Sequence, residues 1–338
     1  MAVTMMDIAK RLEISAATVS RVLSGKGANY ISAGTRDRVI EAARSMGYRP
    51  NRVAQGLVSG KTRVFALWLR NSDAPFYARM PRVLAELGLG AGYEMILSGY
   101  RDKGGETLPR GAEDFDINAW PVDGIIAADC PQRVEQYRSL DPVGGAPIVV
   151  ISTDNGIETD SITFDPESGV QQAVKHMIDI GCKKIVHLTG WCSVSLVQRT
   201  RQRIYEKLMD EAGLPRRVAV AADETRATAR EHVKKIWNES KFDGLFCIND
   251  DVAIGAHRGL RDLGVRVGED VAIVGCDDIE DAQYMDPSLT TIQQPVEAMC
   301  KRAWEMLEQR WADPIAPLQQ ERILPRIIVR ESTIRFGK

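Results

Sequence analysis

The sequence predicts an α/β body of parallel, doubly wound sheets, large enough for two domains, behind a small all-α head. Three observations lead there. The chain has 338 residues, more than one core usually serves. From residue 63 onward, short runs too continuously apolar to have a wet face alternate with amphipathic helical patterns. Residues 1–60 instead carry helix-period stripes with caps and glycine stops.

In the head, Thr4 and Asp7 have capping-box spacing, so a helix starts near Met5 with Ile8, Ala9 and Leu12 as its apolar stripe. Ile14 sits in the turn. The stretch ISAATVSRVLSG (14–25) then gives a short second helix, with Ser15 as N-cap, Val19, Val22 and Leu23 as its stripe, and Gly25 as its stop. Its other face carries Ala16, Ala17, Ser20, Arg21 and Ser24. Alone, this is a small surface helix docked by its stripe; its neighbours change that reading. A third helix starts near Ser32, with Val39, Ile40, Ala43 and Met46 on one side and Gly47 at its end. Three short helices sharing a core, the second entered through a tight turn, form a helix-turn-helix, which projects its second helix into a major groove. Pro50 disfavours helix at Arg49, and Asn51 can cap a further short helix over 52–59 that Gly60 ends. This segment is shorter than an isolated helix needs in water, and Gly56 weakens it by a further ~1 kcal/mol relative to alanine. It is loose until something orders it; a plain linker is the other reading.

Charge separates head from body. Residues 1–62 hold ten Lys/Arg against four Asp/Glu, a net of +6, which leaves −8 for the rest of a chain at −2. A basic head on an acidic body suits a polyanionic partner for the head. The six cysteines (130, 182, 192, 247, 276 and 300) form no C-x-x-C pair and there are only four histidines, so neither a metal site nor a redox motif is signalled. Scattered thiols, no leader pattern and no bilayer-length apolar run lead us to expect a cytoplasmic protein.

The body's buried strands are read at 63–69, 122–128, 147–152, 183–190, 243–249 and 270–276, with helices between them such as GVQQAVKHMIDIG (169–181). Residues 101–121, rich in Gly, Pro and charge, are expected to be partly irregular. GLGAGYE (88–94) contains G-x-G-x-G, but it closes a helix that began near Pro75 and precedes a strand, the reverse of a dinucleotide fingerprint. His176, His187, His232 and His257 are dispersed and none pairs with a nucleophile in a motif, so an enzyme has no support.

DIAKRLEISAATVSRVLSG followed by GYRPNRVAQGLVSGKT, with VRESTIR at the other end, resembles the lactose/galactose repressor family of bacterial transcription regulators over nearly the whole chain. The resemblance implies a periplasmic-binding-protein-like body of two Rossmann-like lobes, crossed three times, near 160–162, 290–294 and 322–326. It divides the chain into a DNA-binding head (1–50), a hinge (51–61) and an effector-binding and dimerisation body (62–338). The N-lobe then holds about 62–160 and 293–323, and the C-lobe about 161–292 and 324–338.

For DNA, the resemblance implies base reading by Ala16, Ala17, Ser20 and Arg21, with Thr4, Ser15, Thr18, Ser24, Asn29 and Tyr48 as further contacts. Arg21 suits guanine, because its fork matches the O6 and N7 acceptors, whereas the alanines offer only methyl contacts. After Asn51 a hinge helix would form on DNA, with Leu57 as a minor-groove wedge and Ala54 beside it. The loop KGANYIS departs from the family in being longer than usual. For the effector, the resemblance points to Asp73, Phe76, Ser152, Arg201, Asn249, Asp277 and Gln294, with Tyr77 and Asp250 adjacent. A carboxylate, an amide and a guanidinium beside aromatics can hold a polyol, whose hydroxyls need both donors and acceptors. The same residues could instead be strand-end caps and inter-lobe salt bridges. Where the family often has an acid after the strand read here at 147–152, this chain has Ser152.

The expected function is a homodimeric, sequence-specific transcription regulator, a repressor controlled by a small molecule of carbohydrate type, on a near-palindromic double-stranded operator, with no cofactor and no membrane. Two alternatives stay open: an activator or dual regulator with a non-sugar effector, and a solute-binding receptor, which would carry an export signal in place of the basic head. No heptad tail signals a tetramer.

Overall fold

The computed structural model describes residues 3–24, 31–49, 60–70, 75–100, 121–140, 145–152, 158–190 and 196–334. The chain divides into two units, Met1–Thr62 and Arg63–Lys338.

The first unit contains α1 (Met5–Leu12), α2 (Ala16–Ser24) and α3 (Ala33–Ser45). Their stripes meet in one core of Ile8, Ala9, Val19, Val39, Ala42 and Ala43, with Leu12, Ile14, Val22, Leu23 and Met46 packed against it. On α3, Ala42 is buried where the periodicity favoured Ile40, which stays half-buried. Glu13 closes α1 in the left-handed region at φ 55°, and the amide of Ile14 returns to the carbonyl of Ala9, 3.1 Å away. Those two residues make the tight turn into α2.

The second unit has two parallel sheets. The first contains β1 (Val64–Arg70), β2 (Glu94–Tyr100), β3 (Gly124–Ala128), β4 (Ile148–Ser152), β5 (Asp160–Phe164) and β11 (Gln320–Ile323), in the order β11-β5-β4-β3-β1-β2. The second contains β6 (Ile185–Gly190), β7 (Val218–Ala221), β8 (Gly244–Cys247), β9 (Ala272–Asp277), β10 (Thr290–Gln293) and β12 (Arg326–Ile328), in the order β12-β10-β9-β8-β6-β7, with only β12 antiparallel to its neighbour. Between the strands run α4 (Pro75–Gly90), α5 (Pro131–Leu140), α6 (Pro166–Asp179), α7 (Leu196–Glu211), α8 (Arg226–Glu239), α9 (Asp250–Asp262), the short α10 (Asp281–Tyr284), α11 (Val296–Ala312) and, last, α12 (Glu331–Ile334). Strands β3, β4 and β6 are buried along their full length, as continuous apolar runs between two helical layers must be. Helices α8 and α9 approach backbone to backbone: a Cβ on Gly255 would lie 2.2 Å from the Arg226 carbonyl oxygen. Gly90 ends α4 and Gly92 turns at φ 77° into β2, so the glycines of 88–92 serve a helix end.

The strand order corrects the first crossing. Asp160–Phe164 pairs with β4 in the first sheet, Val149 opposite Asp160, so the chain leaves that lobe after Phe164 and not at 160–162. Asp165 then caps α6 in the second lobe, accepting from the amides of Glu167 and Ser168. The strand escaped the sequence because DSITF has only two apolar residues; it is fixed by pairing and by its acid. The Asp160 carboxylate takes both nitrogens of the Arg310 fork at 2.8 and 2.9 Å. The second and third crossings fall between β10 and α11 and between β11 and β12. Residues 101–120 of the expected irregular stretch lie outside the described residues. Among the described residues no helix is long and apolar enough to cross a membrane.

Candidate functional site

In the head, helix α2 presents Ala16, Ala17, Arg21 and Ser24 to solvent, on the side away from the buried Val19. Its N-terminus is fixed by Ser15, whose hydroxyl accepts from the Thr18 amide at 3.0 Å and lies 2.8 Å from the Thr18 hydroxyl. Thr4 is likewise engaged: its hydroxyl and its amide both donate to Asp7 Oδ2, at 2.7 and 2.8 Å. The hydrogen bonds from Thr4 hold the Asp7 carboxyl below its ordinary range. Three expected DNA contacts, Thr4, Ser15 and Thr18, therefore also hold the helix starts. Ser20 is partly exposed, and Tyr48 packs its ring against the head core. Arg38 donates to the Leu12 carbonyl at 3.3 Å and so ties α3 to the turn before α2. Asn29, Asn51, Ala54 and Leu57 lie outside the described residues.

In the body, both sheets reverse strand order beside their first strand, between β1 and β3 and between β6 and β8. The carboxyl ends of strands at such a point are where open α/β sheets hold ligands. From the first lobe come Tyr77, Asp129 and Ser152. Tyr77 donates its hydroxyl to the Asp129 carboxylate. Burial, and then the Asp129 charge, raise the Tyr77 hydroxyl well above its usual pKa, so it stays a donor. Ser152 is the buried last residue of β4. Phe76 is packed in the hydrophobic core with its ring edge-on to Tyr77, centroids 4.9 Å apart. It supports Tyr77, and Tyr77 carries the polar group. Asp73 lies outside the described residues.

From the second lobe come Arg201, Asn249, Cys276, Asp277 and Gln294. Arg201 on α7 is 9% exposed and donates to the Ile248 carbonyl at 2.8 Å. Burial works against its charge, but acidic neighbours, Asp277 and Glu224 among them, outweigh burial and hold the guanidinium above its ordinary pKa. Asp277 ends β9 at φ 125° and accepts from the Gln294 side-chain Nε2 at 2.6 Å. Burial, reinforced by Asp250, pushes the Asp277 carboxyl up, and Arg201 opposes this. Gln294 is therefore the residue that orients Asp277. Asn249 is committed at both ends: its oxygen accepts from the Val252 amide at 2.8 Å, capping α9, and its nitrogen donates to Glu224 at 3.1 Å. Asp250 is fully buried, accepting from the Thr291 hydroxyl at 2.6 Å and the Ile279 amide at 3.0 Å, and burial raises it to about 7.

The structure thus brings Tyr77, Arg201, Asp277 and Gln294 into one electrostatic neighbourhood, turns Asn249 to capping, and adds Asp129, Glu224 and Cys276, which the sequence did not single out. Each of these three sits at or just beyond a strand's carboxyl end, and that position was their only sequence signal. Among the described residues no group of three or more His, Cys, Asp or Glu is arranged to hold a metal ion.

A three-helix head of helix-turn-helix form and two α/β lobes with facing strand ends define a DNA-binding regulator with a ligand-binding body. Residues 4–51 match the profile of bacterial regulatory proteins, lacI family, and residues 174–333 that of the periplasmic binding protein-like domain. Catabolite control protein A of Priestia megaterium is 30% identical over 88% of this chain and 89% of its own. The HTH-type transcriptional repressor PurR of Aliivibrio salmonicida is 29% identical over 97% of this chain and 98% of its own. Among solved structures, the lac repressor dimer bound to operator and the anti-inducer ONPF superposes with a TM-score of 0.81, 23% identity and coverage of 98% of this chain and 99% of that one. The chain belongs to the lacI family of bacterial regulatory proteins.

Proposed function

We propose that this chain is a cytoplasmic transcriptional repressor that binds a near-palindromic operator as a homodimer and is controlled by a sugar or sugar derivative between its lobes. The observation that carries the reading is the pairing of an exposed Arg21 on α2 with donors and acceptors gathered at the strand ends of both lobes. Arg21 reads a guanine edge in each half-site; Ala16 and Ala17 approach thymine methyls. Residues 51–59 order on DNA only when two copies are held side by side, and Leu57 enters the minor groove. In the cleft, Asp277 accepts from ligand hydroxyls while Arg201 and Tyr77 donate to ligand oxygens. A ligand that prefers one lobe arrangement changes the spacing of the two hinges and hence DNA affinity.

The relatives' names support repression, and related structures hold ribose or lactose, which favours a carbohydrate. An activator or dual regulator with a non-sugar effector is the second reading, favoured by the small Ser152 where the family often has an acid. The test is to incubate the purified chain with fragmented genomic DNA and sequence what is retained. Recovery of a short symmetric motif near a few genes is expected. Retention of DNA with no shared motif, with and without added metabolites, overturns the operator reading.

A further inference from the structure

One side chain of the first lobe reaches the second lobe beside Asp277. Arg79 stands on α4, two residues beyond Tyr77, and its Nη1 donates to the backbone carbonyl of Asp278 at 3.3 Å. Its Nη2 is held by both oxygens of Glu297 at 2.9 and 3.0 Å. Glu297 is the second residue of α11, just past the second crossing and back in the first lobe. The Arg79 fork is thus aimed by its own lobe and spends its other arm across the cleft.

The far end of this contact is a built turn. Asp277 and Asp278 both have positive φ, 125° and 52°, a conformation non-glycine residues adopt only when their surroundings impose it. The Asp278 carboxylate accepts from Gln293 Nε2 and from Arg330 Nη2, each at 2.6 Å. Gln293 in turn accepts from Arg326 at 2.7 Å, and the next residue, Gln294, holds Asp277. Residues flanking two of the three crossings therefore converge on the turn that carries Asp277, and among the described residues Arg79 joins them from the first lobe.

We propose that Arg79 is a positioning residue: it clasps the Asp277–Asp278 turn from the opposite lobe and sets the lobe spacing at which Asp277 and Tyr77 can act on one ligand. Its consequence for ligand affinity rests on the regulator reading above; the clasp itself does not. The fraction of chains with clasped lobes multiplies the affinity of any ligand that needs both. Arg79 is a quarter exposed and Glu297 half exposed on their side chains, so both can be replaced without opening the core.

The test reads lobe spacing directly, with no operator and no effector. Spin labels are placed on Gln132→Cys of α5 and Lys235→Cys of α8, both exposed, in the full-length chain with Cys192 replaced by serine and diluted with unlabelled chain. The parent should give one narrow distance distribution. Arg79→Met, which keeps the stem and removes the fork, should raise the separated-lobe population about three- to ten-fold, as loss of one long, partly exposed hydrogen bond of ordinary net strength predicts. Glu297→Gln should give a smaller change in the same direction, and melting temperatures should not move. If Arg79→Met melts early, Arg79→Lys replaces it, since one ammonium cannot span Asp278 and Glu297 together. Distributions that superpose on the parent's overturn the clasp. Separated lobes in Arg79→Met, in a chain that selects no DNA motif, would keep the clasp and reject the regulator.

Discussion

His187 illustrates what burial does to a single titratable side chain. Its ring lies among Phe246 and Tyr205, at centroid distances of 4.8 and 5.4 Å, and Nδ1 bonds the Phe246 carbonyl at 3.1 Å. Burial lowers its pKa to about 4. The folded chain thus refuses a proton that the unfolded chain takes near pH 6.5, so stability present above pH 6.5 is lost as pH falls towards 4, by about 3 kcal/mol at the limit. His187→Phe should keep the ring stack and flatten that part of the profile. Thermal melts between pH 6.5 and 4 check it: equal slopes for the two chains would remove His187 as the cause. The same principle works in reverse at Asp250, which the sequence places beside the effector residues and which burial raises to about 7. Arg201 and Asp277 could be picked out because the family resemblance marks their positions. Asp129 and Glu224 could not, because an acid after a strand looks like any cap until its neighbours in space are known.

At the scale of the element, legibility followed hydrophobicity. Strands β1, β3, β4, β6, β8 and β9 are apolar runs buried between helical layers; β3, β4, β6 and β8 lie within segments the sequence marks, and β1 and β9 overrun theirs by one residue, at Arg70 and Asp277. Strand β11 reads QERI and is mostly exposed; only its pairing with β5 makes it a strand. The pairing depends on Asp160, which also accepts from the Gln319 amide at 2.9 Å, while Arg310 gathers the carbonyls of Pro314, Ala316 and Pro317. The ion pair is nearly buried, at 3% side-chain exposure for Asp160 and 12% for Arg310. Asp160→Ala leaves a guanidinium unpaired in that setting and should destabilise the body by about 3–5 kcal/mol. Urea unfolding of the variant measures this, and a loss within half a kilocalorie would show that water replaces the acid at no cost.

At the scale of the whole molecule, the head and the body are built on different physics, and the sequence showed both. Helix stripes and caps predicted the three-helix head, and alternation of strand and helix predicted the paired lobes. What it could not supply was the first crossing's place, which a strand with two apolar residues hides. The hinge is the part of the proposal that joins the two units. Leu57→Ala removes the wedge that unstacks base steps, so operator affinity should fall by about one to two orders of magnitude while the body's ligand affinity stays unchanged. Parallel operator and ligand titrations of the variant check both halves, and unchanged operator affinity would sink the wedge.

Under the proposed function, ligand in the cleft and operator at the head are coupled through one chain. The most direct measurement is operator affinity of the parent, Arg201→Ala and Asp277→Ala chains across a panel of sugars and sugar phosphates, on the DNA that genomic selection recovers. At least one compound should shift the parent's operator affinity five-fold or more, a typical allosteric coupling of about 1–3 kcal/mol, and neither variant should respond to it. Variants that respond at the same concentration as the parent would contradict the cleft assignment, and a parent whose operator affinity ignores a compound shown to bind its body would contradict the coupling.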